Sequence, residues 1–109
     1  MPLNPYRIMW LFVFFDLPAK TKKDRKDYTL FRKRLMKDGF THMQHSVYLR
    51  HCGSTESAEA HSRRMKTFLP TKGDVSILRV TDKQFGMIEN FVGRRSVPTP
   101  LEPQQLEMF

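Results

Sequence analysis

From Ile8 to Phe15 (IMWLFVFF) the chain is continuously apolar, rich in β-favouring types and bounded by Pro5 and Pro18. A half-exposed strand alternates apolar with polar residues, so this run predicts a strand buried on both faces. Thr21-Lys22-Lys23-Asp24 then fits the S/T-x-x-D/E pattern that opens a helix. Tyr28, Phe31 and Leu35 recur at helical spacing up to Asp38, and Gly39 supplies the stop. Phe40 to His51 holds two short strands around a tight turn at Gln44-His45, with Ser46 to Arg50 the better strand. Cys52 to Thr55 reads as a loop and helix start. Ala58, His61, Met65, Phe68 and Leu69 mark one face of a second helix, which Pro70 stops.

Thr71-Lys72-Gly73 turns the chain into a last core strand, Asp74 to Thr81. Lys83 to Gly93 fits a short strand or a turn of helix equally well. Beyond it, Pro98, Pro100 and Pro103 without an apolar period predict a flexible tail, so the division is a domain at 1–93 and a tail at 94–109. The order β-α-β-β-α-β predicts an α+β, ferredoxin-like domain: a four-stranded antiparallel sheet with two helices on one face. Helices on one face leave the other face of Ile8 to Phe15 uncovered. A second copy of the sheet is expected there, making the chain a homodimer.

The 109 residues carry a net charge of +8, which points to a polyanion or an anionic surface as partner. Between Lys20 and Asp38 nine basic residues (Lys20, Lys22, Lys23, Arg25, Lys26, Arg32, Lys33, Arg34, Lys37) face three aspartates, contributing +6 of that total. A helix that is merely soluble interleaves its signs, so the imbalance favours nucleic acid over a solvated face. Arg63, Arg64 and Lys66 on the second helix add to it. Such cations grip phosphates without reading bases. Cys52 is the only cysteine, which excludes an internal disulfide. With an N-terminal apolar run too short to span a bilayer and no cleavage site after it, the expected location is the cytoplasm.

Asp16 ends the apolar run, and an acid there needs a partner. It is either a helix cap or ion-pair partner of Lys20 or Lys22, or a metal ligand. One carboxylate per chain is too few for Mg²⁺, so a metal site requires a two-fold dimer that brings two Asp16 side chains together. Asp74 is a weaker second candidate, and Asp82 is expected at the far end. His42, His45, His51 and Cys52 lack zinc-site spacing, and His61 reads as a core histidine. There is no glycine-rich phosphate loop and no nucleophile triad. Gln105, Leu106, Met108 and Phe109 resemble the short peptides that dock on bacterial sliding clamps, and predict a partner-binding tail.

Several of these stretches together resemble the CRISPR-associated protein two family, in the form found beside type II systems. They are Leu11-Phe12-Val13-Phe14-Phe15-Asp16-Leu17-Pro18, Lys22-Lys23-Asp24-Arg25-Lys26, Phe31-Arg32, Asp38-Gly39-Phe40, Gln44-His45-Ser46-Val47-Tyr48-Leu49-Arg50 and Thr81-Asp82-Lys83-Gln84-Phe85. The resemblance covers residues 8–93 in order and leaves out the tail. It implies a ferredoxin-like homodimer whose first-strand acids, here Asp16, hold a divalent metal, with Arg25 the closest match to the family's nucleic-acid-contacting arginines. It also implies an extra C-terminal strand, within Lys83 to Gly93, that joins the partner chain's sheet. Members are described as metal-dependent nucleases on RNA or DNA. In spacer acquisition the dimer bridges integrase dimers and supports duplex DNA. Three functions stay open: an integration scaffold, a stand-alone Mg²⁺-dependent endonuclease, and a toxin-like ribonuclease.

Overall fold

The structure, a computed structural model, describes residues 7–99. Strand β1 (Met9–Asp16) lies inside the sheet and serves two cores. Its odd-numbered residues Met9, Leu11, Val13 and Phe15 pack under the helices, and Trp10 and Phe12 pack on the other face. A strand with apolar groups on both sides has to be central, and the sheet order is β2-β3-β1-β4. Here β2 is Thr41–Gln44, β3 is Val47–Cys52 and β4 is Asp74–Thr81, and every pairing is antiparallel.

Helix α1 (Lys22–Lys37) starts at a full capping box: the Asp24 N–H donates to Thr21 Oγ1 at 3.0 Å and the Thr21 N–H donates to Asp24 Oδ2 at 3.2 Å. That backbone hydrogen bond from Thr21 is the main reason the Asp24 carboxyl lies below its usual range. Phe31 and Leu35 bury against β1, beside Ala58 and Met65 from α2 (Thr55–Met65). Both helices therefore cover one face, the ferredoxin-like arrangement expected from the sequence. Helix α2 stops at Met65, earlier than its apolar spacing suggests. Phe68 reaches the same core after a turn, while Leu69 is exposed.

The last strand differs from its expected role as a core strand. β4 is an edge: Val75 and Ile77 are only half-buried, Leu78 is exposed, and its outer side pairs with no strand among the described residues. Lys83 to Gly93 satisfies both of its readings in succession. A short helix α3 (Asp82–Phe85) is followed by β5 (Asn90–Val92), which pairs with β6 (Arg95–Val97). The boundary drawn at residue 93 thus falls in the turn of a hairpin, and residues 95–97 are strand instead of tail. Gln105, Leu106, Met108 and Phe109 lie outside the described residues.

Helix α3 changes the account of the second face. The Phe85 ring stacks on Trp10 with centroids 4.0 Å apart, and the Trp10 indole N–H donates to Asp82 Oδ1 at 2.7 Å. Trp10 and Phe12 are thereby buried within one chain, with no second copy needed. What stays open is a groove of about 370 Å³ beside them, where Phe14, Leu78 and Met87 are exposed. Among the described residues no helix is long and apolar enough to cross a membrane.

Candidate functional site

Asp16 is the last residue of β1 and is exposed. Alternation along the strand puts it on the helix-free face with Phe12 and Phe14. It stands opposite Asp74 in the β1–β4 register. Directly opposed residues of an antiparallel pair share a face, with β-carbons about 5 Å apart. The second candidate acid therefore neighbours the first. Asp82 sits past the other end of β4, buried and bonded to Trp10, and takes no part.

The mundane readings of Asp16 are not what the structure shows. Thr21 caps α1, and among the described residues Asp16 forms no ion pair with Lys20 or Lys22. Nor do the described residues of one chain contain a group of three or more potential metal ligands. The donors Asp16 and Asp74 are hard carboxylate oxygens suited to a cation such as Mg²⁺, but they are too few in a single protomer. The type of donor fits and the number does not, unless a second chain contributes.

The basic residues of α1 divide by position. At about 100° per residue, Lys22, Lys26, Lys33 and Lys37 share the stripe opposite the buried Phe31 and Leu35. All four are exposed. Arg25 and Arg32, seven apart, lie along one flank. On the other flank Lys23 and Arg34 border a groove with Leu30 and Phe68, and Lys23 is paired with Asp27 at 3.0 Å. Arg25 also has a structural task, since its guanidinium donates to the carbonyls of Lys20 (3.0 Å) and Ala19 (3.4 Å) and so holds the loop leading from Asp16 into the helix. Lys20, in that same loop, is exposed. The outer lysine stripe and Asp16 therefore belong to opposite faces of the protomer, with only the Lys20–Lys26 end near both.

The cations of α2 separate as well. Arg63 and Lys66 border a groove of about 500 Å³ over Leu11 and Ile77, together with Arg79. Arg64 is engaged with Asp38, in a cluster that no local pattern announces. Asp38 caps the end of α1, and its carboxylate accepts from His61 Nδ1 at 2.9 Å and from the Arg64 guanidinium. Its backbone carbonyl accepts from Arg50 Nε at 2.7 Å. His61 is thus tied to a carboxylate instead of sitting in an apolar core. The other histidines stay apart: His42 bonds to the His45 carbonyl, and His51 packs edge-on against Trp10.

Burial alone would push the Asp38 carboxyl up, but its bonds to His61 and Arg64 outweigh that and hold it low. A carboxyl depressed in the folded state adds stability above its unfolded pKa, and that stability is lost as pH falls through the depressed value. Asp38→Asn is therefore expected to cost about 1–3 kcal/mol near neutral pH and clearly less near pH 3. Urea unfolding at the two pH values measures both.

Arg94 and Arg95 form a further exposed basic pair at the turn of the β5–β6 hairpin, within the stretch expected to be tail. The signal the sequence offers for them is their adjacency.

Comparison with known proteins places this geometry. The family model described as CRISPR associated protein Cas2 matches residues 9–88. A Flavobacterium psychrophilum protein named CRISPR-associated endoribonuclease Cas2 is 50% identical over 107 residues, covering 98% of this chain and 93% of the relative. A Parvibaculum lavamentivorans protein of the same name is 52% identical over 101 residues, covering 93% of this chain and all of the relative. A solved structure described as the crystal structure of cas2 aligns with a TM-score of 0.55 at 21% identity, over 86% of this chain and 97% of that one, which is a likeness of fold. The family match spans the four-stranded sheet and helices α1, α2 and α3, and the chain belongs to the CRISPR-associated Cas2 family.

Proposed function

We propose that this chain is a dimeric, DNA-binding subunit of CRISPR spacer acquisition, which holds duplex DNA by its phosphates while integrase dimers join that DNA to the array. The observation that carries this reading is the outer stripe of α1: four exposed lysines in line, none of them ion-paired among the described residues. A row of unpaired ammonium groups at helical spacing binds a phosphate backbone irrespective of sequence. The second copy sits on the open groove of the helix-free face, and the β5–β6 hairpin of each chain adds to the free edge of the partner's β4. The segment holding Gln105, Leu106, Met108 and Phe109 docks a protein partner, the integrase or a sliding clamp. In this role the protein acts in the cytoplasm.

A second activity has its own support in Asp16 and in the relatives named endoribonucleases. In the dimer, Asp16 from each chain, with Asp74 beside it, would hold a Mg²⁺ ion. Such an ion supplies charge stabilisation and an activated water for cutting an RNA or DNA phosphodiester. The contribution of the chain itself is to hold the acids at the end of a rigid strand and to retain the polyanion through its lysines.

Spacer integration in vitro with purified integrase separates the two. The Lys22, Lys26, Lys33 and Lys37→Gln variant is expected to fail. Asp16→Ala is expected to integrate normally while its Mg²⁺-dependent cleavage drops by at least about 100-fold, more than losing the support of a ligand typically costs. Loss of integration by a folded, dimeric Asp16→Ala would overturn the scaffold reading in favour of the nuclease.

A further inference from the structure

Gly73 closes the turn into β4, one residue before Asp74. Its φ of +90° is one that residues with side chains rarely adopt. Conformation is not the only demand on it. A β-carbon at Gly73 would stand 2.6 Å from the Asp16 carbonyl oxygen, 2.7 Å from Leu17 Cδ2 and 3.0 Å from Leu17 Cα. Two of those atoms are backbone, so no side-chain rotation clears them. The other positive-φ glycines of the described residues differ. At Gly39 the nearest atoms belong to the Arg50 side chain and not to backbone, and at Gly93 there is open space.

We propose that Gly73 is a positioning residue for Asp16: its bare α-carbon lets the end of β1 seat against the start of β4, and this seat sets where the Asp16 carboxylate stands. The proposal rests on the reading of Asp16 as a cation-holding acid. Ordinary contact begins near 3.4 Å, so a methyl group at residue 73 must drive the Asp16 carbonyl away by several tenths of an ångström. Metal–oxygen distances tolerate only about 0.2 Å. In a site shared across a two-fold axis the error occurs twice, once from each chain.

Mg²⁺ binding by the full-length protein, followed by calorimetry well below every variant's melting temperature, tests this. Asp16→Ala should abolish binding. Gly73→Ala should weaken it at least tenfold with the oligomeric state unchanged, and Gly53→Ala, whose β-carbon would meet nothing within 4 Å, should leave it as it was. Gly73→Asn guards against a failure to fold, because asparagine tolerates positive φ yet carries the same obstructing β-carbon, so it should weaken binding equally. A lower melting temperature with unchanged Mg²⁺ affinity in the Gly73 variants would overturn the proposal and leave Gly73 a turn residue. If Asp16→Ala also binds Mg²⁺ normally, the underlying reading of Asp16 has failed and the proposal falls with it.

Discussion

Leu78→Glu is expected to turn the proposed dimer into a monomer at concentrations where the unmodified chain should be fully associated. Leu78 is 49% exposed in the single chain and borders the open groove with Phe14 and Met87, so the substitution costs the isolated fold little. In the proposed dimer it would place an unpaired carboxylate against apolar side chains from both sides of the two-fold axis. At about 2 kcal/mol for each such group, the total is about 4 kcal/mol, a roughly 1,000-fold weaker dimer. Analytical ultracentrifugation over a dilution series measures it directly. An unchanged dissociation constant would mean that the groove is not part of the seam, and that the second chain is held by the free edge of β4 alone or lies on the helices. The same variant should lose Mg²⁺ binding, because one protomer supplies too few oxygens.

The second large effect concerns charge. With Lys22, Lys26, Lys33 and Lys37 changed to glutamine, duplex affinity should fall on the order of 1,000-fold at physiological salt, taking about 1 kcal/mol for each phosphate contact. The slope of log affinity against log salt should become shallower by about 3 to 4, the value for four contacts on one chain. Both changes should be the same for unrelated DNA sequences, since phosphate contacts carry no sequence information. These side chains point away from the core, so the melting temperature is a control that should hardly move. If the slope stays as it was, the stripe is simply a solvated face and the phosphates are met by other cations, with Arg63, Lys66 and Arg79 the next candidates.

The elements legible in the sequence are those whose signals are local and repeated. β1 announces itself by an unbroken apolar run, and α1 by its capping box and its Tyr28, Phe31 and Leu35 spacing. Asp16 was legible as a candidate because an acid at the end of a buried strand requires an explanation. The cover over Trp10 was missed, although Thr81-x-x-Gln84 is a capping box of the same kind as Thr21-x-x-Asp24 and opens α3 in the same way. The four-residue helix that follows is too short to show an apolar period. β4 reads as a core strand because Val75, Ile77, Leu78 and Val80 describe its composition and not its place, and an edge is a property of the sheet. The bonds from His61 and Arg64 to Asp38 span 23 and 26 residues, beyond the reach of any periodic pattern. The same holds for Gly73, whose need to be glycine comes from a neighbouring strand more than 50 residues earlier in the chain.

Trp10 is the only tryptophan of the chain, and its ring lies between the body of the sheet and α3, stacked on Phe85 and bonded to Asp82. Indole emission depends on the polarity and the hydrogen bonding around the ring, so a single intrinsic fluorophore reports on this one joint. Departure of α3 from the sheet exposes the ring to water, and the arrival of another chain on that face alters its surroundings from the other side. The protein therefore carries an optical probe, without a label, at the place where its own fold ends and the proposed assembly would begin.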